Sequence, residues 1–388
     1  QSYAADPRWH EVLRLAIAAA SQREAQRLLL TMLAAPATGE QRGLPTVLVG
    51  ECLCDAGRNG AGGRAWEAGI AALLATVADP AVPPATRVAA GTVLGRLGDP
   101  RQLDPSSGRA HGASGATVPD YWCDVAAGVF WHGDERVRRG RRLAIRQVEL
   151  PYAFRLARYP VSNAEFARFI EAGGYHDPRW WTQAGWTFIS PAGRRSPPEQ
   201  PGTPIGQPGL WGVAPYNSPA QPVVGVSWYE AAAYGAWLTA AGRTAGWLYP
   251  GECLRLPTAL EWERAARHLD QRIYPWGDQP PDAERANFDG AGLRAPAPVG
   301  CFPAGAAVCG ALDLAGNVWE WTCSLADALD APRPCADVAP GEMPAIKGGA
   351  FNWEADALRC GAHYWFHPGQ RHNLLGFRLV WVATTEEP

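Results

Sequence analysis

The sequence predicts an α+β protein in which a small all-helical N-terminal region precedes a larger domain of strands and ordered loops. Leu, Ala, Ile and Val recur at helical spacing through the first hundred residues, whereas Trp and Gly become frequent after about residue 120. A polar stretch rich in Gly, Pro and Ser separates the two parts. We therefore predict a helical region at 1–98, a linker at 99–119 and a second domain at 120–388.

Five short helices are predicted in the first region, because Pro and Gly interrupt the apolar pattern repeatedly. They are expected near 8–19, 21–35, 44–56, 64–78 and 84–97. The last of them resembles one helix of a HEAT-like repeat, a unit that buries its apolar face by stacking on neighbours. Two interpretations stay open: a small helical cap, and the end of a longer helical array that binds a partner.

Charge and apolar pattern argue against several classes of protein. The 388 residues have a net charge of -3, which leaves no basic field for nucleic acid. No apolar run reaches the roughly 20 residues of a membrane span. The nine cysteines form no zinc-type quartet, which favours a reducing cytoplasm. Lys347 is the single lysine beside 34 arginines, a bias that hints at a GC-rich genome and a warm habitat.

Helix starts are visible in the second domain. Helices are expected at 163–172 and 227–241, since Ser162 and Ser227 stand where a cap is needed. In LRLPTALEWERAAR, Glu261 follows Thr258 by three residues, which is the spacing of a capping box. These starts place helical segments among strands, as an α+β domain requires.

Seven segments of this domain occur in the order seen in the formylglycine-generating-enzyme family, and they resemble its motifs. They are YWCDVAAGVFWHGDE, RYPVSNAEFARFI, PVVGVSWYEAAAYGAWL, LRLPTALEWERAAR, YPWGD, DLAGNVWEW and the GG…GFRL tail. The resemblance covers about residues 120 to 382. It implies an elaborated C-type lectin fold with twisted antiparallel strands, two helices and long ordered loops.

The catalytic cysteines of that family are not matched. Formylglycine-generating enzymes use two cysteines, five residues apart after a Gly-Gly turn, to bind copper and activate oxygen. Counted from Gly348 and Gly349, these positions fall on Trp353 and Leu358, while Cys360 matches a non-catalytic place. A second branch, which makes sulfur-containing histidine derivatives, uses an N-terminal His-x3-His-x-Glu iron site that the helical region lacks. We therefore expect no enzymatic activity, no catalytic residues, and neither copper nor iron.

A calcium loop of the family is matched by residue type. Its pattern D-x-x-G-x-V-x-E combines side-chain and backbone oxygens, which suit a hard cation. The resemblance implies a structural Ca²⁺ bound by Asp313, Gly316, Val318 and Glu320. The ion would stabilise a loop that has few ladder hydrogen bonds.

The tail at 348–380 also resembles the variable regions of proteins encoded by diversity-generating retroelements. Between positions that look fixed lie aromatic, histidine and amide residues, a composition typical of adaptable contact surfaces. The residues expected to bind a ligand are Trp353, His363, Tyr364, Trp365, Phe366, His367, His372, Asn373 and Leu374. We expect most of them to be exposed as one patch.

The function expected from these observations is a catalytically inactive variable protein that binds an unknown ligand, taken to be a protein, through its tail. The helical region would be free to bind a second partner. Two alternatives stay open: an oxidoreductase of the formylglycine-generating or sulfoxide-synthase type, and an inactive scaffold without variability. The first alternative predicts a bound transition metal, and the second predicts that the tail side chains are buried.

Overall fold

The computed structural model describes residues 9–110, 118–136, 143–190, 205–331 and 337–383. Helices occupy the first hundred of them, and mixed helices and strands follow. The helices, in chain order, are α1 (His10–Ala19), α2 (Gln22–Leu33), α3 (Leu44–Ala61), α4 (Gly63–Ala78), α5 (Pro84–Leu97), α6 (Asn163–Glu171), α7 (Gln183–Ile189), α8 (Trp228–Ala245) and α9 (Ala259–Arg267). The predicted α+β class and the N-terminal helical region are thus confirmed, whereas α7 was not predicted.

The first five helices pack as a layer around small and branched apolar residues. Leu29, Leu48, Cys52 and Leu53 are completely buried where α2 and α3 meet. Helix α3 is interrupted at Gly57, whose φ of +66° lies in the left-handed region that glycine tolerates. Among the described residues, no helix combines the length and apolarity needed to cross a membrane.

The strands form two hairpins and two four-stranded sheets. They are β1 (Leu103–Asp104), β2 (Arg109–Ala110), β3 (Trp122–Val125), β4 (Gly128–Asp134), β5 (Leu143–Leu150), β6 (Phe154–Ala157), β7 (Glu252–Arg255), β8 (Trp319–Leu325), β9 (Pro344–Lys347), β10 (His363–Trp365), β11 (Leu375–Gly376) and β12 (Val380–Ala383). One sheet has the order β3-β6-β12-β7, and the other has the order β10-β9-β8-β11. Only the β11–β8 pair in the second sheet is parallel. The tail therefore contributes strands to both sheets.

Capping boxes begin α6, α8 and α9, as the sequence pattern predicted. The backbone N–H groups of Ser162, Ser227 and Thr258 donate to glutamate side chains three residues later, at 2.8, 2.7 and 2.7 Å. Each glutamate is buried, and each accepts further hydrogen bonds from other elements. The caps therefore fix these helices to the rest of the domain as well as starting them.

An aromatic core lies between α6, α8 and the chain before β12. Phe166 stacks on Tyr234 with ring centroids 5.5 Å apart, and Phe377 meets both rings edge-on. Phe377 and Leu379 are buried, so the GFRL segment supports the tail from inside. This support holds the tail strands against the helices.

Part of the predicted linker is folded. Leu103 is buried in the core of the C-terminal domain, and its N–H donates to Glu165 at 2.9 Å. The indoles of Trp122 and Trp247 donate to the carbonyls of Gly108 and Pro105 at 3.1 and 2.7 Å. Residues 99–110 are therefore bound to the domain, which corrects the linker prediction there. The stretch 111–117 lies outside the described residues.

The helical region is packed directly against the C-terminal domain. Residues of α4 and α5 share an apolar cluster with Ala297, Cys301 and Phe302. A Cβ added to Gly91 would lie 2.9 Å from Cys301 Sγ, and one added to Gly95 would lie 2.8 Å from Ala220. These glycines thus permit a close approach of α5 to the domain.

Candidate functional site

The Gly-Gly turn sets the course of the tail. Gly348 and Gly349 have φ values of +101° and +79°, a region that other residues rarely adopt. A Cβ on Gly349 would also lie 3.0 Å from Leu358. After the turn the chain returns as β10, which pairs with β9 so that His363 lies opposite Lys347. The turn therefore brings the predicted contact residues onto the edge of the second sheet.

Five of the predicted residues form a connected group, the tail aromatic cluster: Trp353, Tyr364, Trp365, Phe366 and His372. Tyr364 stacks on Trp365 at 5.1 Å and lies 5.5 and 5.6 Å from Trp353 and Phe366. Phe366 in turn stacks on His372 at 6.3 Å. His372 is exposed and the other four are half-buried, so the cluster presents ring surface to solvent. This part of the predicted surface is assembled in the structure.

Two predicted contact residues are buried instead. His363 is 2% exposed and Leu374 is 5% exposed, which corrects the expectation that 363–374 is one exposed patch. Side chains alternate along β10, so His363 lies on the opposite face of the strand from Tyr364, which is half-buried against the aromatic core. Asn373 is half-buried and donates to Tyr216 Oη at 2.8 Å, whereas His367 is exposed and accepts from the N–H of Gly369.

A pocket of about 420 Å³ opens beside the cluster. Its lining combines one indole, two carboxylates and a few apolar groups; these residues are Leu325, Ala326, Asp327, Gly341, Glu342, Met343 and Trp365. An indole ring attracts a cation through its quadrupole, and a carboxylate attracts it through its negative charge. The two attractions add where both groups line the same space. We call this space the Trp365 pocket, and its chemistry suits a cationic ligand.

A buried charge network lies where β9 meets α9. Glu263, fully buried on α9, accepts from Lys347 Nζ at 2.9 Å and from Arg267 at 3.1 Å, and His132 Nδ1 lies 3.0 Å away. Burial alone would raise the pKa of Glu263, but Lys347 and His132 hold this pKa well below its usual range. The carboxylate of Glu263 therefore balances the positive charge of the single lysine inside the protein.

His363 borders this network. Its Nδ1 lies 3.4 Å from the carbonyl oxygen of Gly361, and its Nε2 is buried without a hydrogen-bond partner among the described residues. Burial, followed by the charge of Lys347, lowers the pKa of His363 to about 4, while Glu263 acts in the opposite direction. The folded protein therefore favours the neutral imidazole.

Replacing His363 with glutamine is expected to weaken the loss of stability in acid. Because the pKa of His363 is lower in the folded chain than in the unfolded chain, stability is fully present above the ordinary pKa near 6.5. It is lost as the pH falls towards about 4. The full contribution is about 3 kcal/mol. Denaturant unfolding at pH 7 and pH 4.5 measures it, and parallel pH profiles for the two proteins would contradict the assignment.

The predicted calcium ligands are engaged in other interactions. Both oxygens of Glu320 accept from Arg378 at 2.7 Å, and one of them also accepts from the Trp262 indole at 2.7 Å. Asp313 accepts from the N–H of Gly300 at 2.7 Å, and burial raises its pKa to about 6. Arg378, fully buried, supplies the positive charge between these two carboxylates.

Calcium binding by Asp313, Gly316, Val318 and Glu320 stays a prediction. The N–H of Gly316 donates to the carbonyl of Gly348 and the side chain of Val318 is buried, but the ligand atoms expected from these two residues are their backbone carbonyl oxygens. The pairing of Glu320 with Arg378 has no signal within the loop, because the arginine lies in the GFRL motif far along the chain.

The two positions of the family's copper-binding thiols are filled with apolar groups, because Leu358 is completely buried and Trp353 packs edge-on against Trp319 at 5.2 Å. Across the described parts of the chain, no group of three or more His, Cys, Asp or Glu side chains could hold a metal ion.

The model of the sulfatase-modifying factor enzyme 1-like domain matches residues 115–383. The chain belongs to this family. Hercynine oxygenase of Mycolicibacterium thermoresistibile is 39% identical over 248 residues, covering 60% of this chain and 52% of that protein. Formylglycine-generating enzyme of Thermomonospora curvata is 34% identical over 238 residues, covering 51% of this chain and 71% of that enzyme. The chain spans about half the length of the hercynine oxygenases it matches.

A solved structure agrees with the fold. PvdO from Pseudomonas aeruginosa superposes with a TM-score of 0.50 at 24% identity, covering 68% of this chain and 94% of PvdO. At that identity the likeness bears on the fold alone. The predicted sulfatase-modifying-factor fold, with its C-type lectin topology, is therefore confirmed, whereas diversification of the tail stays a prediction.

Two expectations are wrong in the light of these relatives. The chain was expected not to be an enzyme, but three relatives at 36–39% identity are named hercynine oxygenases. The expectation of neither copper nor iron fails with it, because the enzymatic branches of the family use these metals. Trp353 and Leu358 remove only the copper-thiolate route, which is one of the two chemistries in the family.

Sequence reasoning missed the two carboxylates that line the Trp365 pocket beside the tail aromatic cluster. Asp327 and Glu342 lie in loops around β8 and β9, and nothing near them in the sequence points to Trp365. It also missed Glu263 and His132. The one available signal was Lys347, a single lysine placed directly before the Gly-Gly turn.

Proposed function

We propose that the chain is an oxidoreductase of the branch that makes sulfur-containing histidine derivatives, and that the Trp365 pocket binds the trimethylammonium group of a histidine betaine. Identity of 36–39% to three hercynine oxygenases supports the branch. Hercynine is the trimethylammonium betaine of histidine. A trimethylammonium group is a large, weakly hydrated cation, and aromatic rings recognise such cations by their faces.

The Trp365 pocket is the observation that carries this proposal. Trp365 offers the ring, and Asp327 and Glu342 supply two negative charges around the same space. Glu342 is held in place because one carboxylate oxygen accepts from the N–H of Ala339 at 2.7 Å. Tyr364 stacks on Trp365 and fixes its orientation. The ligand would thus meet a pre-formed arrangement, which limits the entropy lost on binding.

The role assigned to these residues is binding and orientation of the substrate. When bound, the metal that this reaction requires would activate oxygen. Since the described residues do not fit a metal centre, its ligands would come from elsewhere in the protein. Substrate binding by the described domain can therefore be tested apart from turnover.

Replacing Trp365 with alanine is expected to weaken hercynine binding about tenfold, because ring attraction to a desolvated cation contributes up to about 2 kcal/mol. Titration calorimetry with the full chain measures this. Glu342→Gln is expected to weaken binding less. Tyr249→Ala is the matched control, since Tyr249 is 70% exposed and lies outside the pocket lining.

Histidine should bind more weakly than hercynine, because its ammonium group is more strongly hydrated. Equal affinity of the Trp365→Ala variant and the unchanged chain would refute the assigned pocket. Turnover is followed separately, by mass spectrometry of sulfur adducts after addition of Fe(II), a thiol and oxygen. If hercynine binds but no adduct forms, the assignment of the pocket stands. The proposal that this chain alone is an oxidoreductase would then lose its support.

A second candidate is contact with a protein through the same surface. It is favoured by the exposed His367 and His372 beside half-buried rings, since aromatic and adaptable polar side chains are typical of protein-binding surfaces. Absence of any hercynine isotherm would favour this candidate over the first.

A further inference from the structure

A second pocket, of about 390 Å³, lies between α4 and the C-terminal domain. One wall is a face of α4, and the opposite wall includes Arg158, Tyr159 and Leu312 of the C-terminal domain. None of its lining residues belongs to the tail aromatic cluster or to the Trp365 pocket. Its size is within the range of sites for small organic ligands. We call this space the α4 pocket, and it is separate from the site at the tail.

The α4 wall of this pocket is apolar. Ala71, Leu74, Ala75 and Ala78 recur at helical spacing, so they lie on one face of the helix. Ala71 and Leu74 are half-buried, and Ala75 and Ala78 are exposed. Every residue that α4 contributes to the lining is apolar. This wall therefore favours a ligand with an aliphatic part, because removing apolar surface from water is favourable.

The opposite wall carries the half-buried guanidinium of Arg158. Its Nε donates to the carbonyl oxygen of Asp120 at 2.7 Å, and its Nη1 donates to that of Gly310 at 2.6 Å. Within the described part of the chain, Arg158 has no carboxylate partner, and its Nη2 makes no hydrogen bond. Arg101, the other cation of the lining, is already paired with Asp99 at 2.6 Å. Arg158 is thus held by two carbonyls and still has N–H groups for an anion.

A buried tyrosine adds a hydrogen-bond donor to the same wall. Tyr159 is 5% exposed, and its hydroxyl has no hydrogen-bond partner among the described residues. A Cβ on Gly300 would lie 2.7 Å from the ring of Tyr159, so glycine leaves the ring its space. Burial raises the pKa of Tyr159 although Arg101 and Arg158 act in the opposite direction. The phenol therefore keeps its proton at neutral pH and can donate it to a ligand.

We propose that the α4 pocket binds a carboxylate with an aliphatic chain, of the fatty-acid type. The carboxylate accepts hydrogen bonds from Arg158 and Tyr159, and the chain lies along the apolar face of α4. Hydrogen bonds between a guanidinium and a carboxylate are among the strong ones in proteins. A neutral ligand would leave the charge of Arg158 unbalanced, and a cation would be repelled by it. The ligand contacts the helical region and the C-terminal domain together, so its binding stabilises their association.

Titration calorimetry of the full chain with sodium decanoate should give one site per chain. Octanoate should bind more weakly, by up to about fourfold for each methylene group removed. Decan-1-ol has the same chain without the charge and should bind at least about tenfold more weakly than decanoate. Equal affinities for decanoate and decan-1-ol, or no decanoate isotherm, would overturn the proposal. Binding of decyl phosphate but not of decanoate would also overturn it, since the ligand would then be a phosphate ester.

Tyr159→Phe tests the carboxylate position with little risk to the fold, because the hydroxyl makes no hydrogen bond to the described residues. It should weaken decanoate binding about tenfold and leave decan-1-ol binding nearly unchanged. Tyr249→Phe is the matched control, since Tyr249 is 70% exposed and lies outside the lining. An unchanged affinity for decanoate in Tyr159→Phe would contradict the assigned position of the carboxylate.

Two further variants separate the anion site from the chain site. Arg158→Met should weaken decanoate binding more than Tyr159→Phe does, because it removes the positive charge. Ala75→Trp should weaken decanoate and decan-1-ol alike, because the indole occupies the space of the chain. Circular dichroism establishes that each variant is folded. Full decanoate affinity in a folded Ala75→Trp variant would place the ligand outside the α4 pocket and refute the assignment.

Discussion

Replacing Arg378 with methionine is expected to lower the free energy of unfolding by about 5 kcal/mol, because the change leaves a buried charge unpaired. The guanidinium makes five hydrogen bonds: two to Glu320 at 2.7 Å, and three to the carbonyls of Ala157, Arg158 and Leu312 at 2.9 to 3.2 Å. Methionine can donate to none of them. Denaturant unfolding at pH 7 measures the loss.

Two further variants test whether the charge or the geometry matters at Arg378. Lysine keeps the charge but cannot reproduce the planar arrangement of the guanidinium N–H groups. Arg378→Lys should therefore lower the free energy of unfolding about half as much as Arg378→Met does. Arg378→Met combined with Glu320→Gln should recover part of the loss, since no unpaired carboxylate remains. Arg179→Met is the control: this side chain is 74% exposed and water screens its ion pair with Asp177, so the change should leave the stability nearly unaltered. A loss at Arg378 as small as in the control would contradict the account.

Replacing Glu263 with glutamine is expected to destabilise the chain by about 4 kcal/mol. Lys347, Arg267 and His132 all converge on its two oxygens, and the backbone N–H of Gly133 donates to it at 2.9 Å. An uncharged amide cannot balance the buried ammonium of Lys347, which is 1% exposed. The measurement is again the free energy of unfolding at pH 7.

A double substitution provides the control for Glu263. Glu263→Gln together with Lys347→Met removes both a carboxylate and its nearest cation, so it should cost clearly less than the two single changes added together. Glu171→Gln, on the exposed end of α6, should change stability by less than about 0.5 kcal/mol. Additive losses for Glu263 and Lys347 would show that the two side chains do not depend on each other.

Local signals in the sequence were sufficient for all the described α-helices except α7. The starts of α6, α8 and α9 were predictable because a capping residue and a glutamate three positions later interact within one turn. The same holds for the Gly-Gly turn, since positive φ values at Gly348 and Gly349 leave few alternatives to glycine. The order of motifs predicted the fold because packed motifs of this kind seldom occur together by chance.

Contacts between distant segments explain the failures. Whether His363 faces inward depends on the pairing of β10 with β9, which no local pattern of aromatic residues reveals. The ion pair of Glu320 and Arg378 depends on how the GFRL segment crosses β8. The absence of enzymatic activity was inferred from Trp353 and Leu358 at the thiol positions and from the lack of a His-x3-His-x-Glu motif in the helical region; the relatives at 36–39% identity that are named oxygenases overturn this inference.

The contact between α5 and the C-terminal domain has a consequence for the inheritance of the two parts. Gly91 and Gly95 leave no space for a side chain against Cys301 and Ala220, and Arg87 forms an ion pair with Glu284 at 2.9 Å. Genetic exchange that fused this domain to a different N-terminal segment would need a segment with glycines and an arginine at matching places. We therefore expect changes on one side of the contact to limit the substitutions accepted on the other.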